Sequence, residues 1–208
     1  METRKIAIIV AFAALTIALN AIRIPAVYLP GFYYQFYEIP IVVAFFLFGL
    51  ETGTLVAFLN LLGEMVFFPI PVGIVAYPFG FLAVLIMILG IYLAGMLVKR
   101  GLQQGNTLSR NRIIVYLTAL GTASRTVVMP ILDFGLLFHY LIPLIMGRNF
   151  TESYLLALFP GMAILNATIA LYTIPISYFI AKKVAGSLKM HEMRGVGFEP
   201  TNACATGS

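Results

Sequence analysis

FYYQFYEIPIVVAFFLFGLETG, residues 32–53, changes character twice. Five of its first six residues are aromatic. Glu38 and Pro40 follow, then almost pure hydrocarbon as far as Phe48, and Gly49 and Gly53 close the run. As a helix, its apolar part 39–50 is about 18 Å long at ~1.5 Å per residue. A hydrocarbon core of roughly 30 Å is thicker than that. This segment therefore crosses a bilayer only by tilting, or by sharing the span with Gly49, Gly53 and the helix beyond.

The rest of the chain explains why a bilayer is the right solvent to consider. Its 208 residues are 61% hydrophobic and 10% charged, where a soluble domain carries about 25% charged residues. The mean hydropathy is +0.99. Candidate spans fall at 5–23, 39–50, 52–68, 75–98, 113–146 and 153–181. Pro130 and Pro143 break the fifth, so 113–130 is its main part and 131–150 an extension with an outer loop. Pro160 and Pro175 bend the sixth. The basic start METRKIAIIV lacks a small-residue cleavage site, so it reads as a retained first helix rather than a signal peptide. The expectation is an all-α integral membrane bundle of six transmembrane helices within residues 1–186.

Charge sets the orientation. With six spans both termini share a side. That side holds Arg4, Lys5, Lys99, Arg100, Arg110, Arg112, Lys182, Lys183, Lys189 and Arg194, which are 10 of the 13 basic residues. Arg23 and Arg148 fall opposite and Arg125 lies inside a span. The positive-inside rule then places both termini in the cytoplasm of a multi-pass cell-membrane protein, with the aromatic loop 25–38 outside. On this account the net charge of +5 reports cytoplasmic loops, and no nucleic-acid partner is expected.

The tail 187–208 is Gly-rich, polar and without periodicity, the pattern of a disordered terminus. GFEPTNACATGS also resembles translation across the complement of a transfer-RNA gene, whose T-arm consensus read backwards gives Gly-Phe-Glu-Pro. Read so, the tail is a gene-end accident without function.

Polar residues inside a membrane need a reason. Asn60 and Glu64 lie four apart on one helix face. Arg125 sits past the middle of the fifth span, Asp133 two turns beyond it, Asn166 inside the sixth span, and His139 near the outer end. The set leans toward the outer half, where the aromatic loop is. Glu64 or Asp133 can pair with Arg125 and brace the bundle, or these groups can line a pocket, and a pocket can be built around a paired arginine. Tyr28, Phe32, Tyr33, Tyr34, Phe36 and Tyr37 read either as an interfacial belt or as a lid over a planar ring. Ala7, Ala11, Ala14 and Ala18 form a small-residue stripe on helix one, for packing within the chain or for docking another helix.

Other chemistries are missing their residues. The sequence has no G-x-x-x-x-G-K-[ST] loop for ATP and no H-E-x-x-H zinc motif. Two histidines, His139 and His191, make no His-rich metal site, and the single Cys204 makes no intramolecular disulfide. Ser124 stands in GTASR, without the G-x-S-x-G frame of a nucleophilic serine.

Taken in order, the motifs resemble the substrate-binding S component of energy-coupling factor (ECF) vitamin transporters, riboflavin-type group. Relatives of that group carry Phe-Ser-Glu-Ile-Pro before helix two and then Phe, Gly and Gly. Here the run is Phe36-Tyr37-Glu38-Ile39-Pro40, then Phe48, Gly49 and Gly53. Their fifth helix has Arg-x-x-x-Met-x-x-x-Asn-Tyr. Here Arg125, Met129, Asp133 and Phe134 take those places. The alanine stripe matches the small-residue motif by which the first helix of that family docks its partner. The resemblance covers about 5–183.

It implies a non-enzymatic subunit that uses no cofactor of its own. The expected ligand is a vitamin, with riboflavin or a related flavin leading, held by Tyr33, Tyr34, Phe36, Tyr37, Glu38, Asn60, Glu64, Tyr77, Arg125, Asp133, His139 and Asn166. The expected partners are a transmembrane coupling subunit, reached through Ala7, Ala11, Ala14 and Ala18, and two ABC ATPase subunits. Departures occur where relatives touch the vitamin. Asp133-Phe134 replaces Asn-Tyr, and Pro160-Gly161-Met162 replaces Pro-Phe-Asn, with Asn166 a turn later. An ionised carboxylate accepts hydrogen bonds and donates none, which points to a ligand with donors or a positive charge. A membrane enzyme using Arg125, Asp133 and Glu64, and a helical scaffold, are the rival readings.

Overall fold

A computed structural model describes residues 3–103, 110–147 and 150–187. Arg148 and the tail 188–208, with Lys189, His191, Arg194 and Cys204, lie outside the described residues.

Helix α1, Thr3–Leu19, leads into an antiparallel hairpin of β1, Arg23–Pro25, and β2, Tyr33–Gln35, with Ile24 opposite Tyr34. Pro30 and Gly31 turn the chain. Gly31 has φ +87°, and the Phe32 N–H donates to the Leu29 carbonyl at 3.2 Å. Proline followed by a glycine at positive φ is the signature of a type II turn. The segment expected as a loop is thus partly strand, because tyrosines suit a pleated surface and the turn holds two short runs side by side.

Helices α2, Glu38–Phe48, and α3, Leu50–Phe67, follow, then α4, Gly73–Gln103, and α5, Arg110–Leu132. The chain continues past Pro130 without a break, through a π-helix at Asp133–Leu141 and a short α6, Ile142–Met146. The expected division of the fifth span near residue 130 is therefore absent. Helix α7, Glu152–Ser187, completes the bundle. Each expected span overlaps a helix, although the first stops at Leu19, short of residue 23, where strand β1 begins. Four stretches are long and apolar enough to cross a membrane: Leu50–Phe67, Gly73–Gln103, Arg112–Ile145 and Glu152–Ser187. Helices α1 and α2 are apolar but shorter.

The short α2 is the centre of the main core. Ile41, Val42, Ala44, Phe45, Phe46 and Leu47 are at most 1% exposed. The helix packs against α1, α3 and α7. A helix enclosed by protein has no hydrocarbon thickness to match, which accounts for its 11 residues. Its end is local chemistry. Gly49 adopts φ +93° and ψ 177°, a region essentially closed to residues with a Cβ. At Gly53 an added Cβ would lie 2.7 Å from that of Phe45, so α3 turns back hard against α2.

A second core lies beneath the hairpin, where Ala26, Leu29, Val75, Phe79, Met129, Phe138 and Met162 are buried. On α1, Ile9, Ala13 and Thr16 are buried, as is Asn20 just past its end, while Ala7, Ala11, Ala14 and Ala18 are exposed. Lys5 pairs with Glu51 at 2.7 Å and ties α1 to the start of α3.

Candidate functional site

A cavity of about 320 Å³ opens beneath the hairpin. Of the residues singled out in the sequence, Tyr33, Tyr37, Glu64, Tyr77, Arg125, Asp133 and Asn166 line it. Five others do not. Tyr34 shares a 2.7 Å hydrogen bond with Tyr28 on the hairpin surface. Partial burial, then that bond, pushes the Tyr28 phenol up to about 12, so the clasp stays protonated at neutral pH. Phe36 leans on Tyr172 with ring centres 5.7 Å apart. Asn60 accepts a 2.8 Å bond from the Asn20 amide, joining α3 to the end of α1. His139 is exposed and its Nδ1 donates to the Phe134 carbonyl at 3.1 Å. Glu38 stands behind the cavity wall and is paired.

That pairing corrects the sequence reading. Arg125 is held by Glu38, 87 residues earlier, and not by Glu64 or Asp133. Its two terminal nitrogens donate to the two Glu38 oxygens, the Nη2–Oε1 bond measuring 2.9 Å. Arg125 Nε donates to Asn166 Oδ1 at 2.9 Å, and the Asn166 amide donates to the Met162 carbonyl at 3.0 Å. Glu38 is fully buried, and Arg125 is 4% exposed. A bidentate, hydrogen-bonded pair is the arrangement in which a buried arginine is tolerated. Glu38 also sits in the first turn of α2, where the helix dipole favours a carboxylate.

Two further bonds fix the strand-to-helix junction on α7. The Tyr172 hydroxyl donates to the Gln35 carbonyl at 2.7 Å, and the Ser177 hydroxyl to the Ile39 carbonyl at 3.1 Å. At the opposite wall the Tyr77 hydroxyl donates to the Phe68 carbonyl. Arg23 donates to the Asn20 carbonyl at 3.1 Å and lies over the Phe68 ring, 5.2 Å from its centre.

Glu64 and Asp133 differ from all of these. They are 3% and 6% exposed, yet among the described residues their carboxyls make no hydrogen bond and no ion pair. Both border the cavity.

Phe32, one of the aromatics read as a belt or lid, lines the cavity, and sequence reasoning missed Arg23, Gln35, Met129, Leu137, Phe138 and Ile142 in the lining. Gln35 lies within the aromatic stretch, and Met129 is one turn past Arg125, so proximity could have suggested them. The last three depend on the π-helix. In an α-helix Ile142 would point about 180° away from Asp133. The wider π turn brings Asp133, Leu137, Phe138 and Ile142 to the same wall. Pro143 has no N–H to complete an α-helical bond, which favours a departure from α geometry just before it.

A multi-pass helical bundle with a hairpin over a polar-lined cavity is a defined fold. The chain superposes on a solved structure described as the S component of a bacterial ECF transporter, with a TM-score of 0.70 and 22% identity, covering 91% of this chain and 99% of that one. At that identity the likeness establishes a shared fold. No protein-family model and no curated protein matches the chain.

Proposed function

We propose that this chain is the substrate-binding S component of an ECF-type importer. It binds a vitamin or small cofactor precursor in the cavity beneath the hairpin. It then delivers the ligand to a separate coupling subunit driven by two ABC ATPases. The observation that carries this reading is the cavity itself: buried polar groups facing open space in a bundle of this fold. Riboflavin or a related flavin is the ligand suggested by the motifs around Glu38 and Arg125. Arg125, already saturated by Glu38 and Asn166, weighs against a membrane enzyme built on it. Lys5, Lys99, Arg100, Arg112, Lys182 and Lys183 mark the cytoplasmic end, so the hairpin and cavity face outward in the cell membrane.

The exposed alanines of α1 are the docking surface in this proposal. Ala11→Leu or Ala14→Leu leaves ligand binding intact and blocks uptake in cells carrying the coupling module. Equal loss of binding and uptake would remove docking from the account. The ligand is tested by purifying the protein in detergent and extracting what accompanies it. A yellow preparation with a flavin spectrum supports both the function and the flavin. A colourless one goes to mass spectrometry and a thermal-shift panel of vitamins. A protein that binds none of them, before and after removal of any retained ligand, is not an S component of this kind.

A further inference from the structure

We propose that the ligand carries N–H or O–H donors on two sides, recognised by Glu64 and Asp133 together, and that the cavity favours cations over anions. The proposal rests on the reading of the chain as a substrate-binding subunit.

It follows from an asymmetry between the charged groups of the cavity. Arg125 is fully engaged, and Arg23 is engaged only through its Nε and the face of its guanidinium. Arg125 gives its terminal nitrogens to Glu38 and its Nε to Asn166. Arg23 donates to the Asn20 carbonyl and covers the Phe68 ring. Neither carboxyl of the cavity makes a hydrogen bond among the described residues. Glu64 on α3 and Asp133 at the start of the π-helix are more than nine-tenths buried, border the cavity and have no hydrogen-bond partner among the described residues. A carboxyl keeps acceptor lone pairs whether or not it carries a proton. Groups buried without partners are satisfied either by water or by what the site was built to hold. Two acceptors reached from different helices demand donors on two sides of the ligand.

Charge gives the sign. A cation held by Glu64 and Asp133 keeps both ionised, and with Arg23, Arg125 and Glu38 the site then carries one net negative charge. A monocation restores balance in a site with little water. A carboxylate or phosphate would find Arg125 occupied by Glu38 and would meet two acidic groups for the one remaining guanidinium, Arg23. Tyr33, Tyr37, Tyr77, Phe32, Phe79 and Phe138 supply the aromatic wall against which a charged, planar ring can lie.

The test uses the full chain, stripped of any retained ligand, and compares probes grouped by charge. Pyridoxamine and thiamine are cationic, pyridoxine and riboflavin neutral, and 4-pyridoxate, biotin and pantothenate anionic. Affinity is read by calorimetry, and the net charge of any co-purified molecule is read by mass spectrometry. The expected result is a co-purified molecule without net negative charge, or a cationic probe binding at least tenfold tighter than every anionic one. Glu64→Gln and Asp133→Asn should each weaken that binding about tenfold, with folding checked by size exclusion. Asp133→Glu, which keeps the charge, should retain the preference. An anionic ligand binding tightest would overturn the inference and leave the importer subunit standing. So would riboflavin binding tightly and indifferently to both substitutions. No ligand at all, in extract or panel, would overturn the inference and the proposed function together.

Discussion

Glu38 and Asp133 are both acidic, both buried and both close to Arg125, yet their surroundings differ completely. Glu38 spends both oxygens on the guanidinium and is sealed behind the cavity wall. Asp133 borders open space and has no hydrogen bond. The first region is closed, with α2, α5 and α7 joined by a saturated polar network. The second is open, with Glu64 and Asp133 bordering the cavity without a hydrogen bond among the described residues. The difference teaches which acidic residues belong to folding and which to binding. A saturated pair has nothing left to offer a ligand. An unsatisfied buried group destabilises the empty protein and rewards whatever fills the cavity.

The strongest way to break this contrast is Arg125→Ala. It strands Glu38 without its partner and should destabilise the protein by about 3–5 kcal/mol, seen as a large drop in the thermal midpoint in detergent. The double change Glu38→Leu with Arg125→Met should recover most of that stability, since it leaves no lone charge. Unchanged stability in Arg125→Ala, with binding alone lost, would move the pair from the closed region to the open one.

Gly49→Ala attacks the closed region through the backbone. It asks a residue with a Cβ to hold φ +93° and ψ 177°, at a cost of roughly 1–3 kcal/mol. Chemical denaturation should register the loss. A neutral result would mean that α2 and α3 can rejoin without the glycine-only conformation.

Asp133→Asn sharpens the contrast because its two effects oppose. Ligand affinity should fall about tenfold, or ~1.4 kcal/mol. The ligand-free protein should be no less stable than the parent, since an unpartnered carboxyl has been replaced by a neutral amide. Loss of stability together with binding would show Asp133 to be part of the brace.

The smallest effect belongs to the hairpin. Tyr28→Phe removes the 2.7 Å clasp to Tyr34 and should weaken hairpin closure by about 0.5–1.5 kcal/mol. Faster ligand exchange with little change in global stability is the expected result, measured by stopped-flow release. An unchanged release rate would detach the hairpin from gating.

Much of this architecture was legible because it depends on neighbours along the chain. The positions of the apolar runs and the small-residue face of α1 follow from local composition and spacing. The placement of Tyr33, Tyr37, Glu64, Arg125, Asp133 and Asn166 in one half of the bundle came from the same arithmetic. What was misread depended on partners far away. Arg125 clearly needed a carboxylate, but three were available at similar depth. Only the docking of α2 between α3 and α7 brings Glu38, rather than Glu64 or Asp133, into its fork. Likewise Asn60 looked like a pocket residue until Asn20, 40 positions earlier, met it.

The sequence by itself determined that the chain is a bundle of apolar helices and which few polar groups lie at membrane depth. These are consequences of helix geometry and the scarcity of charge. The tertiary structure alone decided which polar groups are spent on one another and which are left facing a cavity. It also decided, through the π turn before Pro143, that Phe138 and Ile142 share a wall with Asp133. A hydrogen bond closes only when atoms distant in sequence come within about 3 Å in the right orientation, and no spacing along one chain encodes that.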